Sequence, residues 1–337
     1  MDLSTNYMGL RLRTPLVAGA GPFSQRFEGV RRLEDAGASA VVLYSLFEEQ
    51  LTYDRGALLD FLSQGSSYAE TVTQFGGRGR ISQSPVDYLE AVNQASASCD
   101  IPIIASLNGS AHLRWTHFAR LLEQAGAAAL ELNFYEVPTD VDVDANTLEA
   151  RYVETIASIR KQVKIPVAIK LSPFFTNMTA AIRAFADAGA DGFVLFNRFY
   201  QPDIDLDTLR VRPHLTPSAP HDIRLSLRWI SILRAQIDAS YIATGGVHSA
   251  DDALKLLLVG ADAVQMCSAL LRHGLEHVRT VESGLRIWLA SRGESSISDI
   301  KGRLTPQRTG DGGPDMSAFE RAQYMKTLES YAPDIDL

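Results

Sequence analysis

The chain has 337 residues, 46% of them apolar and 21% charged, enough to bury a large core within one domain. Its net charge of -8 and sequence pI of about 5.4 argue against a nucleic-acid partner, because that binding rests on clustered Lys and Arg neutralising phosphates. Two cysteines, Cys99 and Cys267, are too few for a disulfide framework or a four-thiolate metal site.

In chain order, the first apolar run is LVAGAG (Leu16 to Gly21), and the helical stretch Phe27 to Ala36 follows it. Gly37-Ala38 then leads into AVVLYS, a glycine placed where a helix ends in the left-handed conformation that a Cβ disfavours. The same helix, glycine, strand unit recurs at Gly126-Ala127 before ALELNF, Gly189-Ala190 before GFVLFN and Gly260-Ala261 before AVQMCS. Runs without that glycine are IIASLN (Ile103 to Asn108), VAIKLS (Val167 to Ser172) and YIATGG (Tyr241 to Gly246). Further helices are predicted at His112 to Ala125, Thr147 to Val163, Thr179 to Ala188, Ile223 to Ile237, Ala250 to Val259 and Leu275 to Ser291.

Eight strands, each apolar on both faces and alternating with helices, predict a parallel sheet closed into a (β/α)8 TIM barrel. The whole of 1–337 reads as one barrel domain with rim inserts at about 47–102 and 198–240 and an extension from about 293. The first insert holds a Gly/Ser-rich loop around Gly76, Gly77 and Gly79, then a helix opened by Ser84-Pro85. Four prolines and short apolar groups in the second leave room for an extra hairpin, and the extension ends in a short helix within FERAQYMKTLESY. No apolar run approaches the ~20 residues a spanning helix needs, and the N-terminus lacks a signal core, so a cytoplasmic protein is expected.

Chemistry in such a barrel gathers at the C-terminal strand ends. There, ATGGV and VQMCSAL put Gly245, Gly246, Cys267 and Ser268 after the seventh and eighth strands, where backbone N–H groups commonly hold a phosphate. Lys170, inside VAIKLS, must emerge at the mouth or meet a partner, since an unpaired buried charge is costly. It reads either as a structural ion pair or as a cation stabilising negative charge on a cofactor ring. Asn108, Asn133 and Asn197 end three other strands, and amides that donate and accept suit a planar heterocycle with mixed polar edges. No His, Cys and carboxylate group has metal-ligand spacing.

Taken in order from about Leu16 to Gly274, LVAGAG, IIASLNG, LELN, PVAIKLSPFF, LFN and ATGGVHSADDALKLLLVGADAVQMCSALL resemble the dihydroorotate dehydrogenases. These are flavoproteins on an FMN-binding barrel that oxidise dihydroorotate to orotate in pyrimidine synthesis. The resemblance implies FMN contacts at Ala18, Gly19, Ser45, Asn108, Asn133, Lys170, Gly246, Cys267 and Ser268, with the TGG and CS backbone holding the phosphate. Lys170 would face the N1/O2 edge of the ring, and Asn133 and Asn197 would face flavin and substrate together. It also implies a small-molecule substrate, a homodimer, and a second oxidant such as fumarate, NAD through a partner, or a ferredoxin-like protein.

The substrate side departs from the family. Glu136 stands at the position of the Cys or Ser base, and the substrate asparagine beyond Pro138 is missing. Tyr44 replaces a lysine near the flavin, Arg198 replaces Ser or Thr, and no substrate-loop asparagine is evident between Gly76 and Pro85. Glu136 is thus either a general base lifted by burial, with Arg198 offsetting its repulsion of a substrate carboxylate, or a loop carboxylate paired with an arginine; Tyr135 offers a phenol instead. Alternatives to the oxidoreductase are a flavin-binding subunit that has lost the parent reaction or acts on another unsaturated substrate, and a non-flavin barrel with Lys170 as a Schiff base.

Overall fold

The structure is a computed structural model, and it describes residues 1–48, 50, 84–109, 114–212, 216–306 and 316–330. It opens on a hairpin, β1 (Thr5–Tyr7) and β2 (Leu10–Leu12), followed by β3 (Leu16–Ala18), α1 (Phe27–Asp35), β4 (Val41–Val42) and β5 (Leu46–Phe47). Next come α2 (Pro85–Ser98), β6 (Ile103–Gly109), α3 (Arg114–Gln124), β7 (Ala129–Phe134), α4 (Ala145–Arg160), β8 (Val167–Leu171), α5 (Met178–Asp187) and β9 (Gly192–Leu195). A second hairpin, β10 (Asp203–Asp205) and β11 (Arg210–Arg212), precedes α6 (Ile223–Arg234), β12 (Ser240–Thr244), α7 (Ala250–Leu258) and β13 (Ala263–Met266). The chain ends in α8 (Ser268–His273), α9 (His277–Arg292), α10 (Ile297–Ile300) and α11 (Met316–Ser330).

All the staves pair in parallel, β3 to β4, β6, β7, β8, β9, β12, β13 and back to β3, so the predicted (β/α)8 barrel closes. The second stave is broken at Leu43 to Ser45, with β4 and β5 both pairing to β6. The break leaves the Ser106 main chain without a ladder neighbour there, and the buried Tyr88 hydroxyl of α2 takes that place, accepting from Ser106 N at 2.9 Å and donating to its carbonyl at 3.1 Å. The four anticipated helix-ending glycines, Gly37, Gly126, Gly189 and Gly260, all hold φ between +97° and +108°. Ser84 caps α2 as its sequence suggests, accepting from Asp87 N.

Strand alternation divides the core in two. Outward residues such as Leu130, Leu132, Phe193 and Val264 pack under the helices. Inward ones, Val17, Val42, Ile104, Ala129, Ala168, Val194, Ile242 and Ala263, fill the barrel floor with Tyr7, Met8 and Leu12. The first hairpin therefore stoppers the N-terminal end, held by Met8 N donating to Ser240 Oγ at 2.9 Å and the Thr5 hydroxyl donating to the Asp262 carbonyl at 2.8 Å. Two residues further along the strands the inward positions turn polar: Ser106, Glu131, Lys170, Thr244 and Gln265. That change of character puts the site at the opposite end from the stopper.

Within the second insert the foreseen hairpin forms, pairing Ile204 with Val211. α11 is tied to α6 by Arg228 Nε and Glu320 Oε2 at 2.9 Å. The glycine loop around Gly76 lies outside the described residues.

Candidate active site

Parallel register sets Asn108 beside Asn133 and Asn133 beside Lys170 on β6, β7 and β8. Asn197, just past β9, donates from Nδ2 to Asn133 Oδ1 at 3.0 Å. Three expected amides and the lysine thus share one rim. Ser45 joins them through a 2.8 Å hydroxyl contact with Ser106. Tyr44 lies at the same level, and burial pushes its phenol above the ordinary range.

Lys170 is 9% exposed and Glu131 1%, with Nζ 3.2 Å from Glu131 Oε1. The second carboxylate oxygen accepts from Gln265 Nε2 at 2.6 Å. Of the two readings the sequence allowed for Lys170, an ion pair is therefore present, and its ammonium still keeps donors for a group above it. Glu131 and Gln265 went unnoticed in the sequence. The signal was there: a carboxylate in LELN and an amide in VQM, each alone among apolar neighbours on a strand facing the lumen.

On the other side, Gly245 and Gly246 both hold φ of +85°. A Cβ on Gly246 would meet Ile223 N at 2.7 Å and the Ala219 carbonyl at 2.9 Å, whereas one on Gly245 would meet nothing within 4 Å. Gly246 allows close packing and Gly245 leaves main chain open to a ligand. The Ser268 hydroxyl accepts from Ser218 N at 3.0 Å, and His248 Nε2 meets the Ser218 carbonyl at 2.7 Å, fastening the end of the second insert to this corner. Cys267 donates its thiol to the Ala20 carbonyl at 3.4 Å, and burial pushes that thiol up, with Lys170 pulling the other way. A Cβ at Gly21 would lie 3.0 Å from Cys267 Sγ, and one at Gly19 would lie 3.4 Å from Gln265 Oε1, a buried acceptor with no hydrogen-bond partner among the described residues. Gly19 thus brings bare backbone to the lumen, just past Ala18 at the end of β3.

Residues 70–289, more than half of the chain, match the family described as dihydroorotate dehydrogenase. The chain belongs to that family. Among its relatives, a chloroplastic dihydropyrimidine dehydrogenase (NADP(+)) of Arabidopsis thaliana is 26% identical over 330 residues, covering 89% of this chain and 76% of that protein. A putative dihydroorotate dehydrogenase A (fumarate) of Aeropyrum pernix is 28% identical over 309 residues, covering 89% and 97%. The catalytic subunit of a dihydroorotate dehydrogenase B (NAD(+)) of Pelobacter propionicus is 28% identical over 317 residues, covering 90% and 98%. The dihydroorotate dehydrogenase family thus places this chain among oxidoreductases acting on CH–CH bonds. No helix among the described residues is long and apolar enough to cross a membrane.

At the ends of β7 and β9 the structure realises one of the two alternatives that the sequence left open for Glu136. Glu136 takes a 3.2 Å hydrogen bond from Arg151 Nη2 and a 3.5 Å one from the Tyr152 hydroxyl. Tyr152 stacks on Phe134, a residue of the outer core, at 4.6 Å, so Glu136 is anchored to α4 on the helix side of the strand end. This is the arginine-paired alternative. Arg198 donates from Nη1 to Asp222 Oδ2 at 2.9 Å and from Nε to the Thr216 carbonyl, so it ties the second insert together. Tyr135 shares the parity of Asn133. Its ring stacks on Phe199 at 4.5 Å, with Phe174 edge-on to Phe199, and its oxygen accepts from Tyr200 N at 2.9 Å. The three rings form an aromatic wall beyond the end of β7.

Proposed function

We propose that this protein is an FMN-dependent oxidoreductase that exchanges a hydride between flavin N5 and the CH–CH bond of a small dihydropyrimidine-like substrate, dihydroorotate being the family's own. The observation that carries the reading is the row Asn108, Asn133, Lys170 with Asn197 bonded to Asn133, facing bare backbone at Gly19 and the two left-handed glycines. That donor set fits FMN: amides and an ammonium suit the ring's polar edge, and main chain at Gly245, with Ser268 at the head of α8, suits the phosphate. Ala18, Ser45, Gly246 and Cys267 complete the proposed cradle. Bound there, FMN supplies a two-electron acceptor, with which a substrate single bond becomes a double bond.

Asn133 and Asn197, already bonded to each other, orient the substrate's polar edge, while the Tyr135, Phe199 and Phe174 wall excludes water above it. The proton lost from the carbon adjacent to the hydride donor needs an acceptor. Glu136 was the expected one, but its engagement with Arg151 and Tyr152 favours Tyr135, whose oxygen is steadied by Tyr200 N–H. With Arg198 committed to Asp222, these observations also favour a second reading, a flavoprotein that no longer oxidises dihydroorotate or acts on a different unsaturated substrate. A Schiff-base role for Lys170 is disfavoured by its ion pair.

Relatives named as catalytic subunits support an electron-accepting partner or small oxidant. The exposed apolar face of the second hairpin, Ile204, Leu206, Leu209 and Val211, supports a homodimer. Purified protein should be yellow with an FMN spectrum. Anaerobic bleaching by dihydroorotate supports the first reading; bleaching by neutral dihydropyrimidines alone, or by neither, supports the second; a colourless protein that takes up no FMN overturns both.

A further inference from the structure

Glu131 is the most deeply buried carboxylate in the barrel lumen, and both its oxygens are engaged, by Lys170 Nζ at 3.2 Å and by Gln265 Nε2 at 2.6 Å. Lys170 comes from the neighbouring stave β8. Gln265 comes from β13, four staves round the ring and so on the far side of the lumen. The three side chains thus span the barrel beneath the asparagine row. A buried ammonium needs one counter-charge, which among the described residues Lys170 gets from Glu131. The amide reaching across from the opposite wall adds something else: it fixes the carboxylate's orientation, and hence where the ammonium stands.

We propose that Glu131, gripped by Gln265, is the positioning and charge-balancing residue for Lys170, so that the cofactor edge faces a neutral pair and not a free cation. The inference rests on the FMN reading. Its consequence is electrostatic: two-electron reduction builds negative charge at the N1/O2 edge, and an unbalanced cation would favour that charge more than this pair does.

The test compares Glu131→Gln, Lys170→Met and the double variant in the FMN-loaded protein, by equilibrium reduction potential and by titration with sulfite, which adds to oxidised flavin and leaves negative charge on the same edge. Glu131→Gln should tighten sulfite binding about tenfold or more and raise the potential by about 30 mV per tenfold for a two-electron couple. Lys170→Met should move both in the opposite direction. The double variant, neutral again, should return to within about threefold of the parent. Should Glu131→Gln fail to fold, the comparison of Lys170→Met with the double variant stands alone, and the double must bind sulfite about tenfold more tightly. Unchanged sulfite affinity and potential in a yellow Glu131→Gln protein overturns the inference while leaving the FMN reading intact, and so do shifts of the same sign in the two single variants. A parent that takes up no FMN overturns the reading beneath it.

Discussion

The corner after β12 and β13 and the mouth above β7 and β9 are built from different materials. At the first, conformation does the work: left-handed glycines, exposed main chain, and side chains such as His248 and Ser268 that fasten loop to loop. At the second, side chains do it, and they have largely satisfied one another, Glu136 with Arg151, Arg198 with Asp222, Tyr135 with Phe199. A site built from backbone has few ways to be what it is. One built from side chains can be rewired without disturbing the fold.

The sharpest way to break this contrast is at Gly246. Gly246→Val demands a Cβ against backbone at 2.7 and 2.9 Å with φ at +85°, so we expect a loss of roughly 3 kcal/mol or more of stability, together with loss of FMN. Thermal melts and flavin content measure both, and a variant that melts and binds like the parent would refute the backbone account. Next in size is Tyr135→Phe, which should leave FMN bound while slowing flavin reduction by the true substrate by about 100-fold, the scale of a positioned proton acceptor. Stopped-flow reduction reads this directly; a rate within threefold of the parent removes Tyr135 from that role.

Arg198→Ala should matter less. It frees Asp222 and loosens the insert, so we expect KM to rise by about three- to tenfold with kcat nearly kept, because the change acts on positioning. A drop in kcat with KM unchanged would instead put Arg198 in the chemistry. Smallest of all, Glu136→Gln should change reduction by less than about threefold and stability by under about 1 kcal/mol, as for a partly exposed ion pair. A 100-fold fall would restore Glu136 as the base and overturn the contrast drawn at the mouth.

The architecture was legible because its signals are local. A glycine at +97° to +108° after each of α1, α3, α5 and α7, and short runs buried on both faces, predict staves and their order without knowledge of long-range contacts. Even the second hairpin was foreshadowed by prolines and alternating apolar groups. The amide rim was legible too, because each asparagine closes an apolar run. What sequence did not reveal was pairing. Nothing in LELN and VQM says that Glu131 and Gln265, 134 residues apart, meet across the lumen, and nothing in NFYE says that Tyr152, two turns into α4, captures Glu136. Spacing along a strand decides which side a residue faces; which partner waits there depends on elements far away in the chain.

The hairpin at the barrel floor carries one more consequence. Tyr7, Met8 and Leu12 close the end opposite the asparagine row, so among the described residues the lumen opens on the asparagine side. Whatever occupies the deeper part enters first and leaves last. A reductant and an oxidant that both need the outer part cannot be present together, and each must depart before the other arrives. Turnover through such a cul-de-sac would be ping-pong, and a slowly released product would hold back the next reactant.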